Sequence, residues 1–555
     1  MDYLVNHITY KYGEEAPLAL DDIHFSIQKG KVTAIVGPSG CGKSTLVEIL
    51  SGVIPKLIGN GVLLGSFDIP DDALVSVVSQ NPENQLFGYG VEDAIAFGLE
   101  NIGMPQEQIS ERIEYVLDLL NLQYLRKRSV SNLSGGQRQA VCIASVLAMN
   151  PDILIMDEPV SSLDPNGKAL VRSILVQLSA GSNTVVVVDN NLSWSAGIVD
   201  HVIGLLDGKV VFDGDRDTFF RDFDLQKKLG VIIPQEVEIY RALARKHPDL
   251  PMFYTMEEGE RCISKLLNGK RGSNSEPLVG QESETVISVH SLSQTFSDGF
   301  HALIDVNANL PEGKVIAILG QNGSGKTTFL KHLNGLLKPT VGDIRYRGVS
   351  IVKKTVAQIS KNIILVFQHP EHMLFESTVE QEISFVARMQ GVAYKPEEID
   401  AILNQYGMEG GKETFPLNLS MGKKHMLTIL SVLLSSADVI MLDEPTLGMD
   451  GFLIEQLEQL IASLKASGKT VVMISHEMPL VFRTVDNAVV LNQGKKVFEG
   501  SKEELARQDA LFESINISLP PVVMFSKRFG LKKICFNVED FCEEIEQRIS
   551  SPEQV

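Results

Sequence analysis

Short apolar runs rich in valine and isoleucine alternate along the chain with stretches in which apolar residues recur every three or four positions. The runs VTAIV, DILIM and TVVVV of the first half have the counterparts VIAIL, DVIML and TVVMI in the second half. QEQISERIEYVLDLLNL (106–122) is typical of the amphipathic stretches between them. A run that is apolar on both faces fits a buried strand of a parallel sheet. The alternation with helices therefore predicts an α/β fold with parallel sheets.

The sequence contains an internal duplication. The matching segments occur in the same order and at nearly the same offset, so each half predicts one complete domain. The pairs are KVTAIVGPSGCGKSTL (31–46) with KVIAILGQNGSGKTTF (314–329), SQNPENQLF (79–87) with FQHPEHMLF (367–375), and PDILIMDEP (151–159) with ADVIMLDEP (437–445).

The domain boundaries follow from the segment between the two copies. NGKRGSNSEPLVGQESE (268–284) is rich in Gly, Ser, Asn and Glu and poor in apolar residues, which is typical of a solvated linker. Each half also carries helical patterns after its last strand. We predict a first domain at 1–222 with a helical tail at 223–267, a linker at 268–284, a second domain at 285–505 and a C-terminal helical tail at 506–555.

Charge and composition restrict the classes of function. The chain has 555 residues, 44% of them hydrophobic, and a formal net charge of −20. A surface of that sign repels phosphate backbones, so no nucleic-acid partner is expected. Five cysteines without C-x-x-C pairs indicate a reduced, cytosolic protein rather than a disulfide framework or a zinc site. We expect neither a membrane span nor a secretory leader.

Two glycine-rich loops follow predicted strands and precede helical patterns. Both fit G-x-x-x-x-G-K-[ST], whose N–H groups and helix N-terminus bind phosphates. A purely structural turn is the alternative, which two copies in this context disfavour. Lys43 and Lys326 would reach the β- and γ-phosphates, and Ser44 and Thr327 would place a hydroxyl on Mg²⁺. The predicted nucleotide-binding residues are Gly37, Pro38, Ser39, Gly40, Cys41, Gly42, Lys43, Ser44 and Thr45 in the first loop, and Gly320, Gln321, Asn322, Gly323, Ser324, Gly325, Lys326, Thr327 and Thr328 in the second.

The predicted strands DILIMDE (152–158) and DVIMLDE (438–444) each end in an Asp-Glu pair. Adjacent carboxylates at the end of a buried strand are costly unless a cation meets them. Asp157 and Asp443 would hold Mg²⁺ through water, and Glu158 and Glu444 would polarise the attacking water. The alternative role, capping the next segment, is weaker beside a phosphate loop.

The full set of motifs resembles the ATP-binding cassette (ABC) ATPases, whose signature is LSGGQ. NLSGGQRQAVCIASVLAMNP (132–151) carries that signature between the first loop and its carboxylates. The resemblance implies two tandem P-loop ABC ATPase domains, each with a helical signature subdomain and a small C-terminal helical tail. It also implies that the two cassettes pair head to tail within the chain, so that each signature closes over the ATP of the other cassette.

The resemblance assigns further residues. The signature residues are Ser134, Gly135, Gly136 and Gln137 in the first half and Ser420 and Gly422 in the second; the glutamines that sense Mg²⁺ and water are Gln80 and Gln368; the D-loops are SSLD (161–164) and LGMD (447–450); and the aromatics that stack on adenine are Tyr12 and Phe296, for which a core role is the alternative.

The two copies differ at their catalytic positions. The second half reads NLSMGKKHM (418–426), with Met421 and Lys423 in place of signature residues, whereas the first half has Asn190 where the second has the switch histidine, His476. Asn cannot carry a charge or shuttle a proton. In a head-to-tail pair both losses fall on one site. This predicts one hydrolytic site, with Lys326, Glu444 and His476, and one degenerate site. The degenerate site retains Glu158, which would allow slow turnover there.

One subfamily of ABC ATPases is similar over nearly the whole chain. Q-x-P-x-x-Q-[LI]-F followed by an acidic helix (80–105, 368–392) resembles the ATPase subunits of energy-coupling factor (ECF) importers, which take up vitamins and transition-metal ions; Met373 departs from the pattern. The resemblance implies a membrane-embedded scaffold protein and a separate substrate-binding membrane protein as partners, and a peripheral location on the cytoplasmic face of the cell membrane. The fused ATPase of a sugar importer and a ribosome-acting tandem cassette protein are the alternatives.

Overall fold

The computed structural model describes residues 2–59, 61–70, 73–79, 85–161, 163–181, 183–267, 284–297 and 299–550. Gln80 and most of the predicted linker lie outside these residues. The chain forms two compact units: Met1–Arg241 with Met252–Thr255, and Ala242–Pro251 with Met256–Val555.

The first unit contains a six-stranded sheet in the order β5-β6-β7-β3-β8-β9 and a three-stranded antiparallel sheet in the order β2-β1-β4, with the bounds given next. The strands are β1 (Tyr3–Lys11), β2 (Leu18–Ile27), β3 (Val32–Val36), β4 (Val62–Asp68), β5 (Val75–Val78), β6 (Ile153–Asp157), β7 (Val185–Val188), β8 (His201–Leu206) and β9 (Lys209–Asp215).

The larger sheet is parallel except at its β9 edge. Along β7, Val185 and Val187 pack into one apolar core, and Val186 and Val188 pack into the other. A parallel strand covered on both faces needs apolar side chains in both directions, which explains the uninterrupted valine run.

The second unit repeats this plan. Its sheets have the orders β15-β16-β17-β12-β18-β19 and β11-β10-β13-β14. The strands are β10 (Thr285–Thr295), β11 (His301–Pro311), β12 (Val315–Leu319), β13 (Val341–Tyr346), β14 (Val349–Ser350), β15 (Ile363–Val366), β16 (Val439–Asp443), β17 (Thr470–Ile474), β18 (Asn487–Asn492) and β19 (Lys495–Ser501).

Most of the longer helices recur at equivalent positions in the two halves. Those of the first half are α1 (Lys43–Leu50), α2 (Val53–Lys56), α3 (Val91–Asn101), α4 (Gln106–Leu119), α5 (Gly135–Ala148), α6 (Pro165–Ala180), α7 (Arg216–Arg221), α8 (Phe223–Lys228), α9 (Gln235–Ala244) and α10 (Met256–Leu266). Those of the second half are α11 (Lys326–Leu333), α12 (Val356–Ile359), α13 (Val379–Gln390), α14 (Pro396–Gln405), α15 (Met421–Leu430), α16 (Gly451–Ala466), α17 (Met478–Thr484), α18 (Lys502–Leu505), α19 (Asp509–Ser514), α20 (Pro521–Arg528) and α21 (Val538–Ser550).

The second unit also takes in helical residues that precede the linker. Helix α10 contacts α20, and Arg528 Nη1 lies 2.5 Å from Glu260 Oε2. Upstream of α10, His247 Nε2 lies 2.9 Å from Glu546 Oε1 on α21. Residues 242–251 and 256–266 therefore fold with the C-terminal helices.

The predicted fold class is confirmed, because each half is an α/β domain in which helices cover a mostly parallel sheet. Among the residues that the structure describes, no helix combines the length and the apolar character needed to cross a membrane.

Candidate functional site

Each glycine-rich loop joins the central strand of its large sheet to a helix. The first loop runs from the end of β3 to Lys43, the first residue of α1, through Gly42 with φ 105°. A Cβ on Gly42 would lie 2.7 Å from the carbonyl oxygen of Ala19, so only glycine fits here. The Lys43 Nζ donates to the carbonyl oxygens of Gly37 and, at 3.1 Å, Pro38. The lysine ammonium thus lies within the loop that would hold the phosphates.

The second loop has the same geometry. Gly325, with φ 100°, precedes Lys326 at the start of α11. The Lys326 Nζ donates to the carbonyl oxygens of Gly320 at 2.8 Å and Gln321 at 3.0 Å. Both lysines are buried although they carry charge, a state that in proteins normally accompanies an anionic partner.

The strand-end aspartates lie beside the loops. The Thr327 hydroxyl donates to Asp443 Oδ1 at 3.4 Å, which brings a loop hydroxyl and a carboxylate oxygen together. Oxygen ligands of this kind are those that Mg²⁺ prefers, so these residues fit an ATP-bound magnesium ion. Burial raises the pKa of Asp443, and in the first half burial, with Glu158 nearby, raises the pKa of Asp157 to about 6. A bound cation would reverse these shifts.

The second half places its switch histidine against the strand-end glutamate. His476 Nε2 lies 3.1 Å from Glu444 Oε1, with both side chains about 15% exposed. Burial raises the pKa of Glu444 to about 7, and the Lys326 ammonium opposes that rise. The Glu444 backbone has φ 49°, a left-handed conformation unusual for glutamate and typical of functional sites. This arrangement can hold and move a proton near neutral pH.

The first half uses the corresponding position differently. Asn190 Oδ1 accepts from the Gly37 N–H at 2.8 Å. Its Nδ2 donates to the carbonyl oxygens of Leu229 at 3.2 Å and Gly230 at 2.8 Å. Asn190 therefore joins the first phosphate loop to the segment between α8 and α9. Burial also raises the pKa of Glu158.

The two signature helices differ at their N-termini. Ser134 caps α5 by accepting from the Gln137 N–H at 3.3 Å, and Gln137 Oε1 accepts from the Ser134 N–H at 3.1 Å. This is a capping box, which a serine followed three residues later by a glutamine favours. Ser420 begins α15 without a side-chain cap, and its buried hydroxyl has no partner among the described residues. Lys423 cannot close the box because it has no acceptor.

The glutamines predicted to sense Mg²⁺ differ in what the structure shows. Gln80 lies outside the described residues, whereas Gln368 is exposed just after β15. Five residues beyond Gln80, Gln85 accepts from the Ser79 N–H at 2.9 Å and donates to the Val77 carbonyl at 3.1 Å. Gln85 therefore fixes the end of β5, and Met373, its counterpart, places its sulfur 3.2 Å from the Phe367 nitrogen.

The predicted adenine-stacking aromatics are both partly exposed. The Tyr12 hydroxyl lies 2.9 Å from Thr45 Oγ1, which places this ring beside the first phosphate loop. Phe296 is 39% exposed in the turn after β10. Stacking on adenine stays a prediction for both residues.

Two buried polar groups near the sites escape sequence reasoning. Asp189 accepts from the Trp194 indole N–H at 3.0 Å and from the Asn191 N–H at 2.8 Å, and burial raises its pKa to about 7. His425 lies fully buried on α15, and burial lowers its pKa to about 4. The Asp189-to-Trp194 spacing suits a local turn, but no pattern in the sequence indicates that either group is buried.

These loops, carboxylates and signatures define an ABC ATPase. The family model described as ABC transporter matches residues 20–161 and 303–447. The chain belongs to the ABC transporter ATP-binding family and is a tandem ATPase. It is 33% identical over 560 residues to a protein of Caldanaerobacter subterraneus subsp. tengcongensis that is named as an ABC transporter ATP-binding protein, with 97% of this chain and 98% of that protein covered.

Two further similarities differ in what they show. The chain is 32% identical over 533 residues to YkoD of Bacillus subtilis, named as an HMP/thiamine import ATP-binding protein, with 93% of this chain and 94% of that protein covered. Its fold is similar to that of an archaeal ribosome recycling factor, aABCE1, solved with the ribosomal stalk protein aP1; the TM-score is 0.58 at 21% identity, covering 92% of each chain. At that identity the second similarity concerns the fold alone.

Proposed function

We propose that the chain is the ATP-hydrolysing energy-coupling subunit of an ECF-type importer for a vitamin or a transition-metal ion. In this proposal it binds, on the cytoplasmic face of the cell membrane, to a membrane-embedded scaffold protein that in turn holds a separate substrate-binding membrane protein. The similarity to YkoD over nearly the full length supports an importer.

The observation that carries the proposal is a pair of exposed phenylalanines at equivalent positions. Phe87 is 51% exposed and Phe375 is 60% exposed. Phe87 stacks on Phe97 of α3 with ring centroids 4.7 Å apart, and Phe375 packs edge-on against Phe385 of α13 at 4.5 Å. Apolar rings held on the surface by a helix are typical of binding sites for protein partners.

The second half has the groups for hydrolysis. Lys326 and the loop N–H groups would bind the β- and γ-phosphates, and Thr327 and Asp443 would hold Mg²⁺, which would neutralise phosphate charge. Glu444, once ionised, accepts a hydrogen bond from the attacking water and orients it toward the γ-phosphorus. His476 Nε2, which lies 3.1 Å from Glu444 Oε1, would donate to that carboxylate and so fix it.

The degenerate site belongs to the same proposal. When the two cassettes pair head to tail, the ATP at Lys43 faces Met421 and Lys423, while the ATP at Lys326 faces the capped helix of Ser134. Because Asn190 is bound to Gly37, Leu229 and Gly230, it offers no group to the γ-phosphate. The first site then holds ATP chiefly to keep the cassettes closed.

Alanine substitution of the two phenylalanines tests the docking surface. Phe87→Ala with Phe375→Ala should abolish uptake and membrane association while the affinity for ATP changes less than about twofold, because neither ring belongs to a phosphate loop. Tyr124→Ala, which removes another exposed ring, is the matched control. A loss of ATP binding as large as that caused by Lys326→Ala would contradict the assignment.

Affinity purification of the full chain from its own cells separates the proposal from the ribosome-acting alternative. The tagged chain should copurify from detergent-solubilised membranes with two integral membrane proteins. Recovery with ribosomal subunits and without membrane proteins would overturn the importer function. The nucleotide sites would then still stand, because they do not depend on the partner.

A further inference from the structure

A cationic pocket lies in the second unit where the last cassette strands meet the C-terminal helices. It has a volume of about 670 Å³, within the range of small-molecule sites. Its lining contains five cationic side chains and three acidic ones, although the whole chain has a net charge of −20. The cationic ones are Arg483, Lys502, Arg507, Lys532 and Lys533, and the acidic ones are Glu503, Glu539 and Asp540.

The cations of the pocket differ in how they are compensated. Arg483 Nη2 lies 2.5 Å from Glu458 Oε1, and Lys533 Nζ lies 3.8 Å from Asp540 Oδ2. Lys502 has no carboxylate within 4 Å among the described residues. Its Nζ donates to the Phe482 carbonyl oxygen at 3.4 Å and lies 4.9 Å from the centre of the Phe536 ring. A lysine held by a carbonyl and a ring retains the capacity to bind an anion.

The pocket also has an apolar wall. Phe536 is 9% exposed and stacks on the buried Phe482 with ring centroids 5.9 Å apart. Ile534 lines the same wall. A cation beside an apolar wall suits a ligand that joins an anionic group to an apolar body.

We propose that this pocket binds a small phosphorylated metabolite that carries an aromatic ring, with the phosphate at Lys502 and Lys533 and the ring against Ile534 and the exposed edge of Phe536. The site is distinct from both phosphate loops and does not depend on the transported substrate. It touches α17 at Arg483 and at the Phe482 carbonyl oxygen. That helix begins two residues after His476.

Pyridoxal 5′-phosphate is a suitable probe because it combines a ring, a phosphate and an aldehyde. The Lys502 amine nitrogen would add to the aldehyde carbon and water would leave, giving an imine. Added borohydride then delivers a hydride to the carbon, while a proton from water goes to the nitrogen, and the stable secondary amine is located by peptide mass spectrometry.

The experiment uses the full chain with saturating Mg-ATP, and each labelled lysine is quantified separately. Lys502 should be labelled at concentrations about tenfold lower with pyridoxal 5′-phosphate than with pyridoxal, which lacks the phosphate. Exposed Lys495 is the internal control. Lys502→Met should remove the labelled peptide, and Phe536→Leu should raise the concentration needed for labelling.

Competition experiments on the unaltered chain provide a second test, which does not depend on the folding of any variant. Pyridoxine 5′-phosphate should protect Lys502 and pyridoxine should not. Protection by adenosine 5′-monophosphate as well would identify a nucleotide as the ligand, whereas protection by pyridoxine 5′-phosphate alone would identify a smaller ring. Equal labelling by pyridoxal, or labelling of Lys502 no faster than Lys495, would overturn the proposal.

Discussion

Single residues make the two nucleotide sites different. In the second half an imidazole lies 3.1 Å from the strand-end glutamate. In the first half an amide at the same position forms three hydrogen bonds to the backbone. The substitution of histidine by asparagine was evident from the sequence. Its structural result was not, because the partners of Asn190 lie 153 residues before it and about 40 residues after it.

The first prediction compares the two glutamates. Glu444→Gln keeps the shape of the side chain but removes the charge that polarises water, so turnover should fall about 10²- to 10⁴-fold. Glu158→Gln alters a site that lacks the histidine and should slow turnover at most several-fold. The measurement is the steady-state ATPase activity of the assembled transporter. Equal losses from the two substitutions would mean that both sites hydrolyse ATP.

The second prediction concerns pH. The usual pKa of a glutamate is 4.5, and burial raises that of Glu444 to about 7. The carboxylate that would accept a hydrogen bond from water therefore ionises as the pH rises through about 7. We expect kcat/KM for ATP to rise about tenfold from pH 6 to pH 8. Glu158→Gln should keep this profile and Glu444→Gln should flatten it, whereas a flat profile in the unaltered chain would contradict the role of Glu444.

Individual elements were predicted where the signal was local. The buried strands and the glycine-rich loops were predictable because each needs a particular residue type at each position of one short segment. The capping box at Ser134 and Gln137 also follows a local sequence pattern. It stabilises the start of α5, which is a different role from the predicted contact of these residues with nucleotide. Contacts between distant elements, such as α10 with α20, have no signature in a single sequence.

The third prediction concerns the connection between the first phosphate loop and the segment after α8. Asn190→Ala removes the acceptor of the Gly37 N–H and the donor to Leu229 and Gly230, at a cost of about 1–3 kcal/mol. The peptide that contains Gly37 should exchange its amide hydrogens faster. Asn191→Ala is the control, because among the described residues the Asn191 side chain accepts only from Ser193 in its own turn. Unchanged exchange at Gly37 would show that Asn190 does not hold the loop.

At the scale of the whole molecule, the compact units do not coincide with the two sequence repeats. Helix α10 precedes the predicted linker, yet its Ile263 is fully buried within the unit that contains α20 and α21. Burial of one such side chain contributes about 1.5–3 kcal/mol. The Arg528 to Glu260 pair is partly exposed and contributes little beside that.

The fourth prediction follows from this arrangement. A protease site inserted within residues 268–283 and then cut should leave two fragments that elute together in size-exclusion chromatography, because α10 stays bound to the C-terminal fragment. In the variant Ile263→Asp, which places a charge in that apolar contact, a larger share of the cut fragments should elute separately. Separation of the fragments without this substitution would contradict the packing of α10.

The packing of α10 also sets the order in which the protein can form during translation. The partner of Glu260 is made 268 residues later. At about 5–20 residues per second, the ribosome needs roughly 10 to 50 s to cover that distance. During this interval the first cassette has its complete sequence, but the apolar face of α10 has no surface to cover it. The nascent chain therefore leaves the Ile263 side chain without its covering helices until the C-terminal segment is made, and a ribosome stalled in the second half would leave it uncovered.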